Sequence, residues 1–302
     1  MSEAIKVEKR GSVAWMTLNR PEKLNALSRG LLEDLRNGLR ELNPGDAVRV
    51  IRLRGAGRAF CPGYDLDPTA SSYRPITAST SARGTALGDL GESSIARDRE
   101  AMREMIDRWL WIWNYRKPII AQTHGYCLSG GLDLIGTCDI VFAAEGTLFG
   151  HPAARGLGIP VTLGMMPIKI GAAATKELLF TGDLIDADEA QRLGLIRHVV
   201  PADELDGRTL AFCQRVALNP LDGLTVHKHV TNRWLEVMGL RLAALEGAEY
   251  DAIFHLTPAS AEFGRRSRED GLREALAWRD EPFATGPAAD HDAAVRRHQE
   301  RR

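Results

Sequence analysis

Cysteine is scarce in this sequence, with four residues in a chain of 302. Their positions, Cys61, Cys127, Cys138 and Cys213, do not have the close spacing that metal ligands need, and we expect no disulfide framework. Three of them lie in apolar or glycine-rich segments, where a small buried thiol is the expected role. The sequence therefore predicts no metal site.

The sequence also has no excess of either charge and no long apolar run. Its 39 Lys and Arg residues nearly balance its 40 Asp and Glu residues, so no nucleic-acid partner is indicated. The first twenty residues mix charged and apolar side chains and contain no run suited to a signal peptide or a membrane span. Hydrophobic residues make up 44% of the chain, which is enough for a large core. We expect a soluble, cytoplasmic, globular protein with no membrane partner.

Short apolar segments alternate with segments of helical spacing in the first 205 residues, and this alternation predicts an α/β fold. From 206 to 283 the apolar positions recur at helical spacing throughout. The polar tail, 284–302, has no core-forming pattern, and we expect it to be poorly ordered. The segments predicted as strands are Val13 to Leu18, Val48 to Leu53, Pro118 to Thr123, Ile140 to Ala144 and Ile196 to Val200.

Residues 67–97 interrupt this alternation. They are rich in Ser, Thr, Gly, Ala and Pro and have almost no apolar periodicity, which predicts a mobile loop. The helical pattern that follows includes Trp109 and Trp113 on one apolar face. That face is typical of a core or a subunit interface, with the wall of a substrate pocket as the alternative.

Two glycine-containing segments, CPGYDL at 61–66 and HGYCLSGGLDL at 124–134, carry the clearest chemical signal. Gly63 permits a sharp turn that presents the backbone N–H of Tyr64, while Gly130 and Gly131 stand at a predicted helix N-terminus with free N–H groups. Taken alone, each segment also fits an ordinary tight turn. Together, two such donors can form an oxyanion hole, in which each is worth roughly 3–4 kcal/mol to a transition state with negative charge on oxygen.

Four blocks of sequence resemble the crotonase (enoyl-CoA hydratase/isomerase) superfamily, over about residues 5–283. They are LNRPEKLNALS at 18–28, GRAFCPGYDL at 57–66, HGYCLSGGLDLIGTCDIVFAAEGTLFGHP at 124–152 and LLFTGDLIDADEAQRLGLIRHVV at 178–200. The resemblance implies a spiral of strand-strand-helix repeats with a helical C-terminal oligomerisation region. It further implies a homotrimer or a dimer of trimers that acts on acyl-CoA thioesters.

The resemblance assigns the oxyanion hole to the amides of Tyr64 and Gly130. Hydratases of this family use two glutamates as acid and base, and the first of these positions is held here by Asp133, an acid one methylene shorter. The second position, after the FGHP turn, is held by Ala153, so a carboxylate is missing. His151, which can titrate near neutrality, is a candidate replacement, although a packed histidine is the alternative. We expect Asp133 and His151 to be the catalytic residues.

The resemblance also implies a largely backbone-lined binding site for coenzyme A, which would enter as part of the substrate and not as a tightly bound cofactor. The residues implied at this substrate site are Lys23, Leu24, Ala26, Ala59, Gly63, Tyr64, Asp65, Leu66, Gly130, Pro152 and Ala153.

Enoyl-CoA hydration through an oxyanion-stabilised enolate is the activity we expect. The loss of a second carboxylate leaves two alternatives open. One is double-bond isomerisation by a single carboxylate, and the other is a non-catalytic acyl-CoA binder that retains the glycine segments. Thioester or C–C bond hydrolysis, with water activated by Asp133 or His151, is a further possibility.

Overall fold

Two sheets and a series of helices make up the computed structural model, which describes residues 4–67, 92–160 and 165–284. The larger sheet has the strand order β1-β2-β3-β4-β6-β9, in which only the β1–β2 pair is antiparallel. The smaller sheet has the order β5-β7-β8. Their strands are β1 (Ile5–Arg10), β2 (Val13–Leu18), β3 (Val50–Gly55), β4 (Ile119–Thr123), β5 (Tyr126–Leu128), β6 (Ile140–Ala144), β7 (Leu148–Gly150), β8 (Leu184–Ile185) and β9 (His198–Val200).

Helices cover both faces of the larger sheet, and every helix after β9 belongs to the C-terminal part of the chain. The helix α1 begins after Ser28, whose Oγ accepts a hydrogen bond from the N–H of Leu31. The helices are α1 (Arg29–Leu42), α2 (Glu92–Trp113), α3 (Gly130–Gly136), α4 (Met165–Thr181), α5 (Ala187–Leu193), α6 (Leu205–Val216), α7 (Leu221–Val237), α8 (Leu240–Phe254), α9 (Pro258–Glu269) and α10 (Leu272–Ala284).

Strand β2 is buried on both faces, as a strand inside a largely parallel sheet must be. Because successive side chains point to opposite faces, Met16 enters the main core with α1 and α2, while Trp15 enters a smaller core under α6. The α/β class predicted from the alternation of segments is confirmed.

Two predictions differ from the structure by more than the one or two residues by which the ends of β3, β4 and β9 differ. Strand β1 was not predicted, because IKVEKR is exposed along most of its length and lacks an apolar face. The loop predicted at 67–97 ends too late, since α2 already begins at Glu92. Residues 68–91 of that loop, and 285–302 of the predicted tail, lie outside the described residues.

Candidate active site

The loop after β3 brings Tyr64 beside the segment that follows β5. Gly63 has a φ of +118°, and a Cβ added to it would lie 2.9 Å from the Cβ of Ser129, so only glycine fits here. The same added Cβ would lie 3.4 Å from the nitrogen of Gly130. The structure therefore brings together the two loops predicted to supply the oxyanion hole.

The direction of the Tyr64 amide follows from a short parallel bridge. The N–H of Leu27 donates to the carbonyl of Gly63 at 2.8 Å, and the N–H of Asp65 donates to the carbonyl of Leu27 at 3.1 Å. Because backbone groups alternate in direction along an extended segment, the N–H of Tyr64 points away from Leu27.

Gly130 is the first residue of α3, where backbone N–H groups have no partner inside the helix. The chain enters this helix through Ser129, whose φ of +48° is uncommon for a residue with a side chain. The N–H of Ser129 donates to the carbonyl of Gly150 at 2.9 Å and fixes this turn to β7. A strained residue held in this way sets the direction in which the amide of Gly130 points.

Asp133 lies one turn further along α3 and is fully buried. The hydroxyl of Tyr64 donates a hydrogen bond to its Oδ2 at 2.8 Å, and the Nε1 of Trp109 donates to the same hydroxyl at 3.1 Å. Burial, followed by the charge of Asp133, raises the pKa of Tyr64 well above its usual value. Tyr64 therefore stays protonated and acts as a hydrogen-bond donor to the carboxylate.

Sequence reasoning considered only the backbone amide of Tyr64 and missed the hydrogen bond that its hydroxyl donates to Asp133. It also missed the hydrogen bond that Trp109 donates. Trp109 is fully buried, as predicted for a core residue, but its indole N–H also belongs to the chain of donors that ends at Asp133. A buried tryptophan needs an acceptor for its N–H, and this requirement was the available signal.

His151 matches the packed-histidine alternative and not titration near neutrality. The side chain is buried, and neither ring nitrogen has hydrogen-bond geometry with a partner among the described residues. Burial lowers its pKa to about 4, and the nearby backbone of Gly158 acts in the opposite direction. A neutral imidazole at physiological pH is a weak candidate for replacing a catalytic carboxylate.

The position of the missing carboxylate lies in a short 3-10 turn, Pro152–Ala154. The carbonyl of Ala153 accepts hydrogen bonds from the N–H groups of Leu157 and Gly158. The nearby Arg155 pairs with Asp183 at 2.7 Å and is part of a structural ion pair. This turn therefore brings no acid of its own to the site.

Two of the segments predicted to contact coenzyme A are joined by Asn25, which sequence reasoning did not single out. Asn25 is fully buried with a φ of +66°, and its Nδ2 donates to the carbonyls of Ala56 and Ala59, both at 2.8 Å. Asparagine tolerates this left-handed conformation better than most residues. It thereby joins the segment containing Lys23, Leu24 and Ala26 to the segment containing Ala59.

Two further predicted contact residues flank this region. Leu66 is exposed beside Tyr64, whereas Asp65 is buried and pairs through Oδ2 with Nη1 of Arg20 at 2.8 Å. Asp65 therefore fixes the Tyr64 loop to the segment before Asn25.

The described residues, 4–67, 92–160 and 165–284, contain no group of three or more His, Cys, Asp or Glu side chains placed to hold a metal ion. None of the described helices is long and apolar enough to cross a bilayer.

Comparison with known proteins gives consistent matches over most of the chain. The family model described as enoyl-CoA hydratase/isomerase matches residues 8–83 and 78–261. EchA13 of Mycobacterium tuberculosis, which is named as an enoyl-CoA hydratase, is 38% identical over 78% of this chain and 75% of its own length. The short-chain-enoyl-CoA hydratase of Clostridium acetobutylicum is 30% identical over 76% of this chain and 81% of its own length.

Solved structures match the fold as well. An enoyl-CoA hydratase from Mycobacterium smegmatis superimposes with a TM-score of 0.82 and 29% sequence identity. The match covers 93% of this chain and 94% of that one. This similarity confirms the fold that the four sequence blocks implied.

Proposed function

The chain belongs to the enoyl-CoA hydratase/isomerase family, the crotonase superfamily, and on this premise we propose that it adds water to the double bond of 2-enoyl-CoA thioesters. The main support for this proposal is the buried Asp133, which lies one helical turn after Gly130 and is hydrogen-bonded to Tyr64. Relatives named as hydratases, including a crotonyl-CoA hydratase from Syntrophomonas wolfei, support the same reaction.

The reaction needs a site for negative charge and a base for water. When water attacks the β-carbon, electrons move onto the thioester oxygen, where the amides of Tyr64 and Gly130 stabilise the enolate. Asp133 accepts a proton from the attacking water. The hydroxyl of Tyr64 keeps this carboxylate in place during the transfer.

Coenzyme A enters this scheme as part of the substrate, and we propose no tightly bound cofactor. The thioester would extend from the Gly63 and Gly130 amides towards the segment held by Asn25. Backbone groups and the exposed Lys23 and Leu66 supply the contacts there.

A second candidate reaction is movement of the double bond within the acyl chain. The alanine at position 153 favours it, because a single carboxylate at Asp133 can remove a proton and return it to another carbon. Incubation with trans-2- and trans-3-enoyl-CoA esters of several chain lengths, followed by mass spectrometry and chromatography, separates the two reactions. Hydration adds the mass of one water, whereas isomerisation changes retention without changing mass. Binding without any product would contradict both reactions and leave an acyl-CoA binder.

Replacing Tyr64 by Phe is expected to lower kcat while KM changes little. The substitution keeps the Tyr64 amide and removes the hydrogen bond to Asp133, and a hydrogen bond to a charged group contributes about 1.5–3 kcal/mol. This loss corresponds to roughly 10- to 100-fold in kcat. Steady-state hydration kinetics measure the effect, and Tyr126→Phe, on a tyrosine exposed in β5, is the matched control. Unchanged kcat in Tyr64→Phe would show that the hydroxyl has no part in the reaction.

We also propose that the protein is cytoplasmic and assembles as a homotrimer or a dimer of trimers. The exposed face of α7 supports an assembly, because apolar side chains recur on it at helical spacing where a monomer would normally present polar ones. The members of this α7 face are Val226, Val230, Trp234 and Val237, which are 55–72% exposed.

Charged substitutions on the α7 face are expected to break the assembly. Val230→Lys combined with Trp234→Lys places two desolvated charges in an interface, and light scattering after size exclusion should then show monomers. Thr231→Lys, on another side of the same helix, should leave the oligomer intact. If the wild-type protein elutes as a monomer, the proposed assembly is wrong.

A further inference from the structure

A buried cluster of three titratable side chains lies between α2 and α8. Asp98 is on α2, Asp251 is in the last turn of α8, and His255 caps the C-terminus of α8; each is only 4% exposed. The Nδ1 of His255 lies 3.0 Å from Oδ2 of Asp98, and its Nε2 lies 3.6 Å from Oδ1 of Asp251. The imidazole thus lies between two carboxylates, hydrogen-bonded to Asp98 and within ion-pair distance of Asp251.

This cluster adjoins the turn at which the family carboxylate is missing. The N–H of Ile159 donates to Oδ1 of Asp251 at 2.9 Å. A Cβ added to Gly158 would lie 2.9 Å from the same oxygen and 3.3 Å from Nε2 of His255. The N–H of Gly158 in turn donates to the carbonyl of Ala153. Asp251 therefore contacts the segment that follows Ala153.

The cluster is also electrostatically coupled to the proposed catalytic residues. Burial raises the pKa of Asp251 to about 6, with opposition from His255 and the Ile159 N–H and with further increases from the charges of Asp98 and Asp133. Asp251 in turn helps to raise the pKa of Tyr64. A buried acid whose pKa is raised towards neutrality is suited to donate a proton in acid–base catalysis.

We propose that Asp251, supplied by α8, is the second acid–base residue of this enzyme and takes the place of the carboxylate missing at Ala153. His255 and Asp98 are positioning residues that hold its carboxyl group. This inference rests on the proposed hydration of enoyl-CoA thioesters.

The proton and bond changes balance with these two acids. The oxygen of water bonds to the β-carbon, and one of its protons passes to Asp133. The proton of Asp251 passes to the α-carbon, and the enolate electrons re-form the thioester carbonyl. Asp133 ends protonated and Asp251 ionised. Asp133 then releases its proton to solvent and Asp251 takes one proton up from solvent, so the net change is the addition of one water.

Asp251 must carry its proton for hydration, so kcat/KM should fall as pH rises through the ionisation of this group. The charged and titratable groups that act on it are Asp98 from α2, Asp133 from α3, Tyr64 from the loop after β3, and His255 from the C-terminal cap of α8. His255 favours the ionised form, so its replacement by Gln should move the descending limb to higher pH.

Asp251→Asn tests the proposal, because Asn still accepts the hydrogen bond from Ile159 but has no acidic proton. We expect kcat for hydration to fall about a hundredfold with little change in KM. Glu249→Gln is the matched control, since Glu249 is on the same helix and pairs with Arg99 and Arg103 of α2. Equal kcat for Asp251→Asn and wild type would overturn the proposal.

A second measurement separates this proposal from the proposed function. In deuterated water the group that protonates the α-carbon should also exchange the α-proton of saturated butyryl-CoA, which cannot be hydrated. If wild type exchanges the α-proton and Asp251→Asn does not, the result supports the role of Asp251 even if no enoyl-CoA is hydrated. If Asp251→Asn hydrates enoyl-CoA as wild type does, the role of Asp251 is overturned and the proposed function stands. If wild type shows no hydration and no exchange, both are overturned.

Folding is followed by circular dichroism and thermal unfolding in every variant. If Asp251→Asn does not fold, the pH profile of the wild-type enzyme decides. A descending limb of kcat/KM near pH 6 that moves upwards in His255→Gln supports the proposal. A flat profile between about pH 5 and 8 overturns it.

Discussion

Asp133→Asn is expected to lower kcat for hydration by about a thousandfold, within the 10²–10⁴-fold range that a general base typically contributes. The side chain is fully buried, so no solvent group can take over its position. Asn still accepts the hydrogen bond from the Tyr64 hydroxyl, and the substitution therefore removes the base without removing the contact. Steady-state kinetics on a trans-2-enoyl-CoA ester measure the change.

The control for this prediction is Asp270→Asn, an exposed aspartate at the C-terminal end of α9. It makes the same chemical change outside the site and should leave kcat unchanged. Binding of a saturated acyl-CoA, followed by calorimetry, should be similar in wild type and Asp133→Asn. A variant that binds and still hydrates at the wild-type rate would remove Asp133 from the mechanism.

Gly130→Ala is expected to lower kcat by about 10²–10³-fold, the usual cost of losing an oxyanion donor. An added Cβ at this position would lie 2.8 Å from Cε2 of Tyr64 and 3.0 Å from Cδ1 of Leu27. Real side chains do not approach so closely, so the Tyr64 ring or α3 must move. Either shift disturbs both amides and the hydrogen bond to Asp133 at once.

Gly30→Ala is the matched control for this second prediction. Gly30 is also near the start of a helix, and a Cβ added there meets nothing within 4 Å. Alanine has the higher helix propensity, so this variant should be fully active and slightly more stable by about 0.5–1 kcal/mol. Steady-state kinetics and thermal unfolding of both variants test the comparison. Full activity of Gly130→Ala would show that catalysis does not need the close packing at the Gly130 amide.

The structure agrees best with sequence reasoning where apolar patterns are long and continuous. Strands β2 and β6 have the predicted limits because both are buried along nearly all of their length. Strands β5, β7 and β8, with two or three residues each, are too short to produce a recognisable period. The first turns of α2 have the sequence ESSIARDR, in which apolar residues are too few to indicate a helix.

The candidate site was predicted only in the part that is local in sequence. Gly63, Tyr64, Gly130 and Asp133 stand in motifs whose spacing indicates their place, and the structure brings them together. Asp98 and His255 are 157 residues apart, and no spacing rule connects them. Their contact depends on the packing of α2 against α8, which a single sequence does not reveal.

Incubation of the wild-type enzyme with a trans-2-enoyl-CoA ester in oxygen-18-labelled water shows whether this site adds water to the double bond. We expect a 3-hydroxyacyl-CoA that carries one labelled oxygen on the acyl chain, with the thioester intact. A shifted double bond without label, or release of free coenzyme A with label in the carboxylate, would contradict hydration by this site.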